Sequence, residues 1–289
     1  MNPTAGITTA PLVPDPSPRT PGPPGAVPRP LARSPQGIGR WIDLDTIRMM
    51  CQRDLVRFAR ERTQLYGSVA RTVLWLFILG AGLRGSVTVP GGISYLQFVF
   101  PGMLALTIIF TSMQSAISII FDREFGFLKE ILVAPVPRTS VVFGKALAGA
   151  IISTILGTIL FVFAPFVGVW PNPLQILACI GVMLLTGVGL TGMGILIAAR
   201  MTSFEGFGTI NNFVVLPLYF TSAAQFPITN APDWLKVLAL FNPLSYAVDL
   251  LRGILVNTWT YSAPLDLAVL TGFAVATIAA ATWAFTRQE

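Results

Sequence analysis

The chain has 289 residues, 53% hydrophobic and 11% charged, with a formal net charge of +6. An ordinary soluble domain carries about 25% charged residues, so this composition excludes one and points to an all-α polytopic membrane protein. Histidine is absent, which excludes His-dependent triads, His metal sites and His proton relays, and the two cysteines, Cys51 and Cys179, fit no metal or redox spacing.

Residues 1–40 hold eleven of the 23 prolines and four arginines. Such a segment has no apolar core to bury and no apolar stretch of a secretory leader. It is expected to be a disordered, proline-rich cytoplasmic tail, with a proline-rich ligand for a partner as the sharper alternative. The next stretch, DLDTIRMMCQRDLVRFARER, places Leu44, Ile47, Cys51, Leu55 and Phe58 on one helical face, with Arg48, Gln52, Arg53, Arg57 and Arg60 mainly elsewhere. Asp43 or Asp45 caps the start. The pattern predicts a basic amphipathic helix over 43–62 lying in the membrane interface; a helix packed on another subunit fits it too.

Six spans follow at roughly 65–84, 93–121, 139–168, 173–199, 207–223 and 264–286. Arg71 is expected to reach the interface from the first span. Pro101-Gly102 and Pro217 break the backbone ladder inside spans, which requires neighbours or water to satisfy the freed carbonyls. GVGLTGMG, Gly187 to Gly194, offers small residues for close helix packing. Residues 224–257 are too polar for a clean crossing, but their apolar pieces, 233–241 and 243–256, predict two short helices that enter the outer leaflet and return. Carboxylates are expected to avoid the spans.

Lys and Arg set the orientation. With the N-terminus inside, there are nine in 1–64, four in 122–138 counting Lys145 with them, one in 200–206 and one at the C-terminal end. Arg84, Lys236 and Arg252 fall outside, and Arg71 is unassigned. Both termini therefore face the cytoplasm, in agreement with an even number of spans.

FDREFGFLKEILVAPVPR, Phe121 to Arg138, crowds Asp122, Arg123, Glu124, Lys129 and Glu130 between two apolar runs. Phe121, Phe125, Leu128 and Leu132 share one helical face, and Pro135 and Pro137 end the helix. The expected element is a stiff amphipathic helix over 122–134, below the membrane between spans two and three. By its residues alone it either presents side chains to a cytoplasmic partner or only anchors the turn. On the outer hairpin, Asn242 precedes Pro243 and caps the second short helix, while Asp249 and Arg252 are spaced to pair. With Tyr246, these residues form either a structural cap or a substrate exit gate.

The segment DREFGFLKEILVAPVPR resembles the one between spans two and three of ABC-2 type transporter permeases, in Glu124, Gly126, Glu130, Leu132 and Ala134-Pro135-Val136-Pro137. FNPLSYAVDLLRG, Phe241 to Gly253, resembles that family's Asn-Pro-Leu-x-Tyr segment before the last span. The resemblance covers about residues 41–287, is nearest to bacterial drug, nodulation-factor and lipid or glycan exporter permeases, and does not extend to the proline-rich start. It implies a permease of the bacterial cytoplasmic (inner) membrane. Two permease chains, expected to be identical, would work with two copies of a separate ATP-binding subunit. ATP and magnesium would belong to that partner, with no cofactor in this chain.

The sequence agrees with this division. It contains no G-x-x-x-x-G-K-[ST], since Gly144-Lys145 is followed by Ala146 and Thr139 stands at the first glycine position. The resemblance makes 122–134 a coupling helix seated in a groove of the ATPase. Phe125, Phe127 and Leu128 would be its apolar contacts, around Gly126, with Arg123, Glu124, Lys129 and Glu130 orienting it. The substrate path is expected between two permease chains, among spans one, two and five, with Phe98, Phe100, Phe110, Phe213, Tyr219 and Phe220 as aromatic candidates. No charged ring lines these spans, which favours amphipathic cargo over small ions. The expected function is export of a drug-like amphiphile or lipid; export of a polysaccharide or lipid-linked glycan is the alternative. A secondary transporter would show ionisable residues at midplane in repeated halves, and an intramembrane enzyme would show convergent nucleophiles or metal ligands.

Overall fold

Inside lipid a chain must satisfy its own backbone polar groups, which apolar segments of this length do as helices. The computed structural model describes residues 43–83, 89, 92–124, 137–201 and 203–286, and among them there is no strand. The helices are α1 (Leu44–Arg60), α2 (Arg62–Leu83), α3 (Tyr95–Ser115), α4 (Ile117–Glu124), α5 (Arg138–Ile159), α6 (Pro173–Arg200), α7 (Phe204–Thr221), α8 (Asp233–Phe241), α9 (Pro243–Val256) and α10 (Ala263–Thr286). The proline-rich segment and most of the expected coupling helix lie outside the described residues.

Local chemistry accounts for several boundaries. Asp43 caps α1, its carboxylate accepting from the Asp45 N–H at 3.3 Å and the Thr46 hydroxyl at 2.6 Å. Ser94 and Gln97 form a capping box at the start of α3. Asn257 ends α9 in the left-handed conformation, at φ 54°.

Among the described residues, four segments are long and apolar enough to cross a membrane: Tyr95–Asp122, Arg138–Phe163, Pro173–Arg200 and Ala263–Thr286. α8 and α9 bend by 90° at Asn242 and would supply a fifth crossing if they act as one broken span. α2 and α7 are helical where the first and fifth spans were expected; α7 is diluted by Glu205, Asn211, Asn212 and Pro217. Four of the six expected crossings, the second, third, fourth and sixth, are thus met among the described residues.

The connections gather at two ends. At one end Arg138 donates to the Thr286 carbonyl at 2.9 Å, and the Phe121 and Phe204 rings are 4.4 Å apart. At the other, the Tyr95 hydroxyl donates to the Gln225 carbonyl at 3.1 Å, Gln97 to Gly168 at 2.8 Å and Gln175 to Ile254 at 2.7 Å. The charged segment and the hairpin are therefore at opposite ends of the bundle.

The core forms around α3, whose residues 98–109 are buried throughout. The glycine run of α6 packs closely, as its small residues suggested. A Cβ on Gly187 would lie 2.9 Å from Ala150 Cα, and one on Gly194 would lie 2.9 Å from Ala116 Cβ. α1 does not stand alone: it lies along the first half of α5. The Asp43 N–H donates to Ser140 Oγ at 2.7 Å, a Cβ on Gly144 would meet Met50 Cβ at 2.8 Å, and Phe58 clusters with Ile152 and Leu156. Its buried face is Thr46, Met50, Cys51, Asp54 and Phe58, and Leu44 is 74% exposed. The face is rotated from the apolar stripe because Asp54 is drawn inward by cations.

Candidate functional site

Four charges meet where α1, α4 and α5 touch. Lys145 Nζ lies 2.7 Å from Asp122 Oδ2 and 3.8 Å from Asp54 Oδ2, and donates to Ser118 Oγ at 2.9 Å. Arg53 Nη2 lies 2.9 Å from Asp122 Oδ2 and 3.0 Å from Asp54 Oδ1. Lys145 is only 2% exposed. Among the described contacts two cations balance two anions, which permits the burial of Lys145, Asp54 and Asp122, while Arg53 reaches solvent. Burial lowers the pKa of the Arg53 guanidinium, but its hydrogen bond to Asp122 and the Asp54 and Asp122 charges more than offset this, leaving it above the ordinary value. Burial, and then the Asp54 carboxylate, push the Cys51 thiol up. Beside the cluster, the Phe121 ring packs against Phe204 and lies beneath Arg57, whose guanidinium carbon is 4.6 Å from the ring centre.

Sequence reasoning placed Asp122 in a charged turn, counted Lys145 for orientation and excluded it as a phosphate-loop lysine; it missed Asp54. The available signals were a lysine inside an apolar run and an aspartate in the i, i+4 row of Thr46, Met50 and Phe58. Among the expected coupling residues, Arg123 and Glu124 end α4, with Glu124 exposed. Phe125, Gly126, Phe127, Leu128, Lys129 and Glu130 lie outside the described residues. The quartet thus brackets this segment, with Asp122 before it and Lys145 after it.

At the opposite end, the hairpin residues act mainly on backbone. Asn242 caps α9 as expected: Oδ1 accepts from the Leu244 N–H at 2.9 Å, and Nδ2 donates to the Leu218 carbonyl at 2.6 Å and to Thr221 Oγ1 at 2.9 Å. Pro243 occupies the first helical turn, where its missing N–H costs nothing. Tyr246 donates to the Leu240 carbonyl at 2.7 Å across the bend.

The suggested Asp249–Arg252 pair is not formed. Asp249 accepts from the Thr260 N–H at 2.8 Å and the Tyr261 N–H at 2.9 Å, holding the loop after α9. Arg252, 3% exposed, donates to the Ala223 carbonyl at 2.9 Å, and its guanidinium carbon is 3.8 Å from the centre of the Phe98 ring. Spacing allowed the pair, but the turns packed on either side of α9 offer each group a different partner. Nor do carboxylates all avoid the spans. Asp266, in the first turn of α10, is fully buried beside Asp249, and neither of its oxygens meets a donor among the described residues.

The aromatic pathway candidates divide. Phe98, Phe100 and Tyr219 are buried in the core, whereas Phe213 and Phe220 are 78% and 45% exposed. Phe110 is half-buried and lies under Arg71, whose guanidinium carbon is 4.4 Å from the ring centre. Arg71 therefore points into the α2–α3 contact instead of reaching for the interface. Nearby, a cleft of about 550 Å³ opens between α1, α2, α3–α4 and α5, lined by residues that include Arg57, Glu61, Gln64, Gln114 and Ser115.

Residues 45–256 match the ABC-2 type transporter family. The ycf38 transport permease of Cyanophora paradoxa is 30% identical, over 75% of this chain and 77% of its own. Nodulation protein J of Rhizobium leguminosarum bv. viciae is 27% identical, over 71% of this chain and 80% of its own. The multidrug ABC transporter permease YbhR of Escherichia coli is 28% identical over 56% of this chain and 44% of its own.

Proposed function

Because this chain belongs to the ABC-2 type transporter family and is an integral membrane permease, we propose that it is the six-span transmembrane subunit of an exporter that moves an amphipathic drug-like molecule or lipid out of the cell. A separate ABC ATP-binding subunit supplies the energy, and two copies of each chain assemble in the cytoplasmic membrane with all permease termini inside. The names of the permease and multidrug relatives support a transport role.

The observation that carries the coupling mechanism is the buried quartet. Asp122 opens the 122–134 segment and joins Lys145 beyond its end, and Arg53 and Asp54 fasten α1 to the same joint. A push on that segment reaches α4, α5 and α1 together. Closure of the ATPase dimer shifts the permease between states only through such differential contact. Packing of Phe125, Phe127 and Leu128 dominates the docking, since exposed ion pairs contribute about 0.2–1 kcal/mol each.

The test is co-purification with the ATPase, followed by measurement of substrate-stimulated ATP turnover and export. Gly126→Pro, or Phe125→Ala with Leu128→Ala, abolishes both while leaving membrane insertion intact. Normal turnover and export in these variants would overturn the coupling assignment.

A further inference from the structure

Arg71 carries a full charge halfway along α2. It donates no hydrogen bond and meets no carboxylate among the described residues, and its Nε is buried without a partner. A guanidinium has five donors and stays charged at any physiological pH. The Phe110 face offsets only part of the cost of holding such an ion with its Nε out of water. In a membrane-spanning helix an ionisable side chain of this kind marks a ligand or pathway position.

The neighbouring side chains continue the pattern. A 2.8 Å hydrogen bond between Thr72 and Thr107 sets the register of α2 against α3. Gln64 is two turns from Arg71 on α2, and Gln114 is one turn from Phe110 on α3, so both pairs share a face. Gln64, Gln114 and Ser115 line the cleft, and their side chains hydrogen-bond nothing among the described residues. Gln114 is exposed although it belongs to the apolar segment Tyr95–Asp122. An amide left bare in lipid is strongly disfavoured. Within the lining Arg57 and Glu61 neutralise each other across 3.2 Å and Asp54 is paired with Arg53 and Lys145, so the uncompensated charge is Arg71, which stands outside the lining, two turns along α2 from Gln64. Phe58, Ile117 and Ile152 complete the walls, so polar and apolar matter are both accommodated.

We propose that the α2–α3 seam binds the head of a membrane-borne amphiphile that carries an anionic group, a phosphate or carboxylate, beside neutral hydroxyls or amides. Arg71 takes the anion; Gln64, Gln114 and Ser115 take the neutral groups; the acyl portion stays in the cytoplasmic leaflet. This assignment rests on the exporter reading for the direction and leaflet of entry. It narrows the cargo to anionic amphiphiles and gives them a position on this chain.

The test uses the full chain alone in phosphatidylcholine nanodiscs, titrated with fluorescent short-chain phosphatidylglycerol and with the matching phosphatidylcholine analogue. The anionic analogue binds at least about tenfold tighter. Arg71→Gln removes the preference, Arg71→Lys keeps part of it because a charge without the planar fork remains, and Gln114→Leu weakens both analogues alike. Equal affinities in the unaltered chain, or an undiminished preference in Arg71→Gln, overturn the proposal; if Arg71→Gln fails to fold, the unaltered chain decides. Competition by soluble glycerol phosphate as strong as by the lipid overturns the membrane-borne assignment. Binding without any stimulation of ATP turnover in the ATPase complex leaves the site standing and counts against the exporter reading.

Discussion

Lys145 sits almost fully buried near the start of an apolar helix, and what stabilises it there is a set of oxygens from two other helices. Removing either member of a buried pair strands the other, which costs about 3–5 kcal/mol, whereas replacing both with apolar groups is often close to neutral. Lys145→Met and Asp122→Leu are each expected to destabilise the protein by that amount. The Lys145→Met/Asp122→Leu double variant costs clearly less than their sum. Thermal unfolding in detergent, arranged as a double-mutant cycle, measures this; strictly additive costs would show that the two charges do not depend on each other.

The α8–α9 hairpin is held by an amide cap, a tyrosine and two charges that each serve a different carbonyl or N–H group. Exchanging the charges, Asp249→Arg with Arg252→Asp, therefore brings no rescue. The arginine would face two N–H donors and the aspartate a carbonyl oxygen, so both contacts become repulsive. Asp249→Asn is milder than Asp249→Ala, since its amide oxygen still accepts from the Thr260 and Tyr261 N–H groups. The folded, monodisperse fraction after solubilisation reports both comparisons, and recovery in the exchanged double variant would reinstate a direct Asp249–Arg252 pair.

At the scale of the molecule, the hairpin and the charge quartet lie at opposite ends of the bundle, and the proposed topology puts the quartet's end, with its excess of Lys and Arg, in the cytoplasm. Single cysteines at Glu124→Cys and Asp233→Cys, in a Cys51→Ala/Cys179→Ala background, separate the two ends. On intact cells a membrane-impermeant maleimide labels the Asp233→Cys variant and spares the Glu124→Cys variant; inverted vesicles give the reverse. Labelling of both from one side would undo the topology and with it the coupling mechanism.

By itself the amino-acid sequence determined that the chain is a helical membrane protein, roughly where most of its described helices run, that Asn242 caps α9 and which family its two motifs resemble. Each of these depends on run length, period or neighbours within a few residues. Only the tertiary structure decided which face of α1 is buried, that Asp54 joins Lys145, that Arg252 serves Ala223 and not Asp249, and that Arg71 stacks on Phe110. The reason is that a buried polar group takes whichever partner the packing brings to it. Arg53 and Asp122 are 69 residues apart in the chain, and Asp43 and Ser140 are 97 apart. Local spacing carries no record of such choices, because they follow from which helices lie side by side.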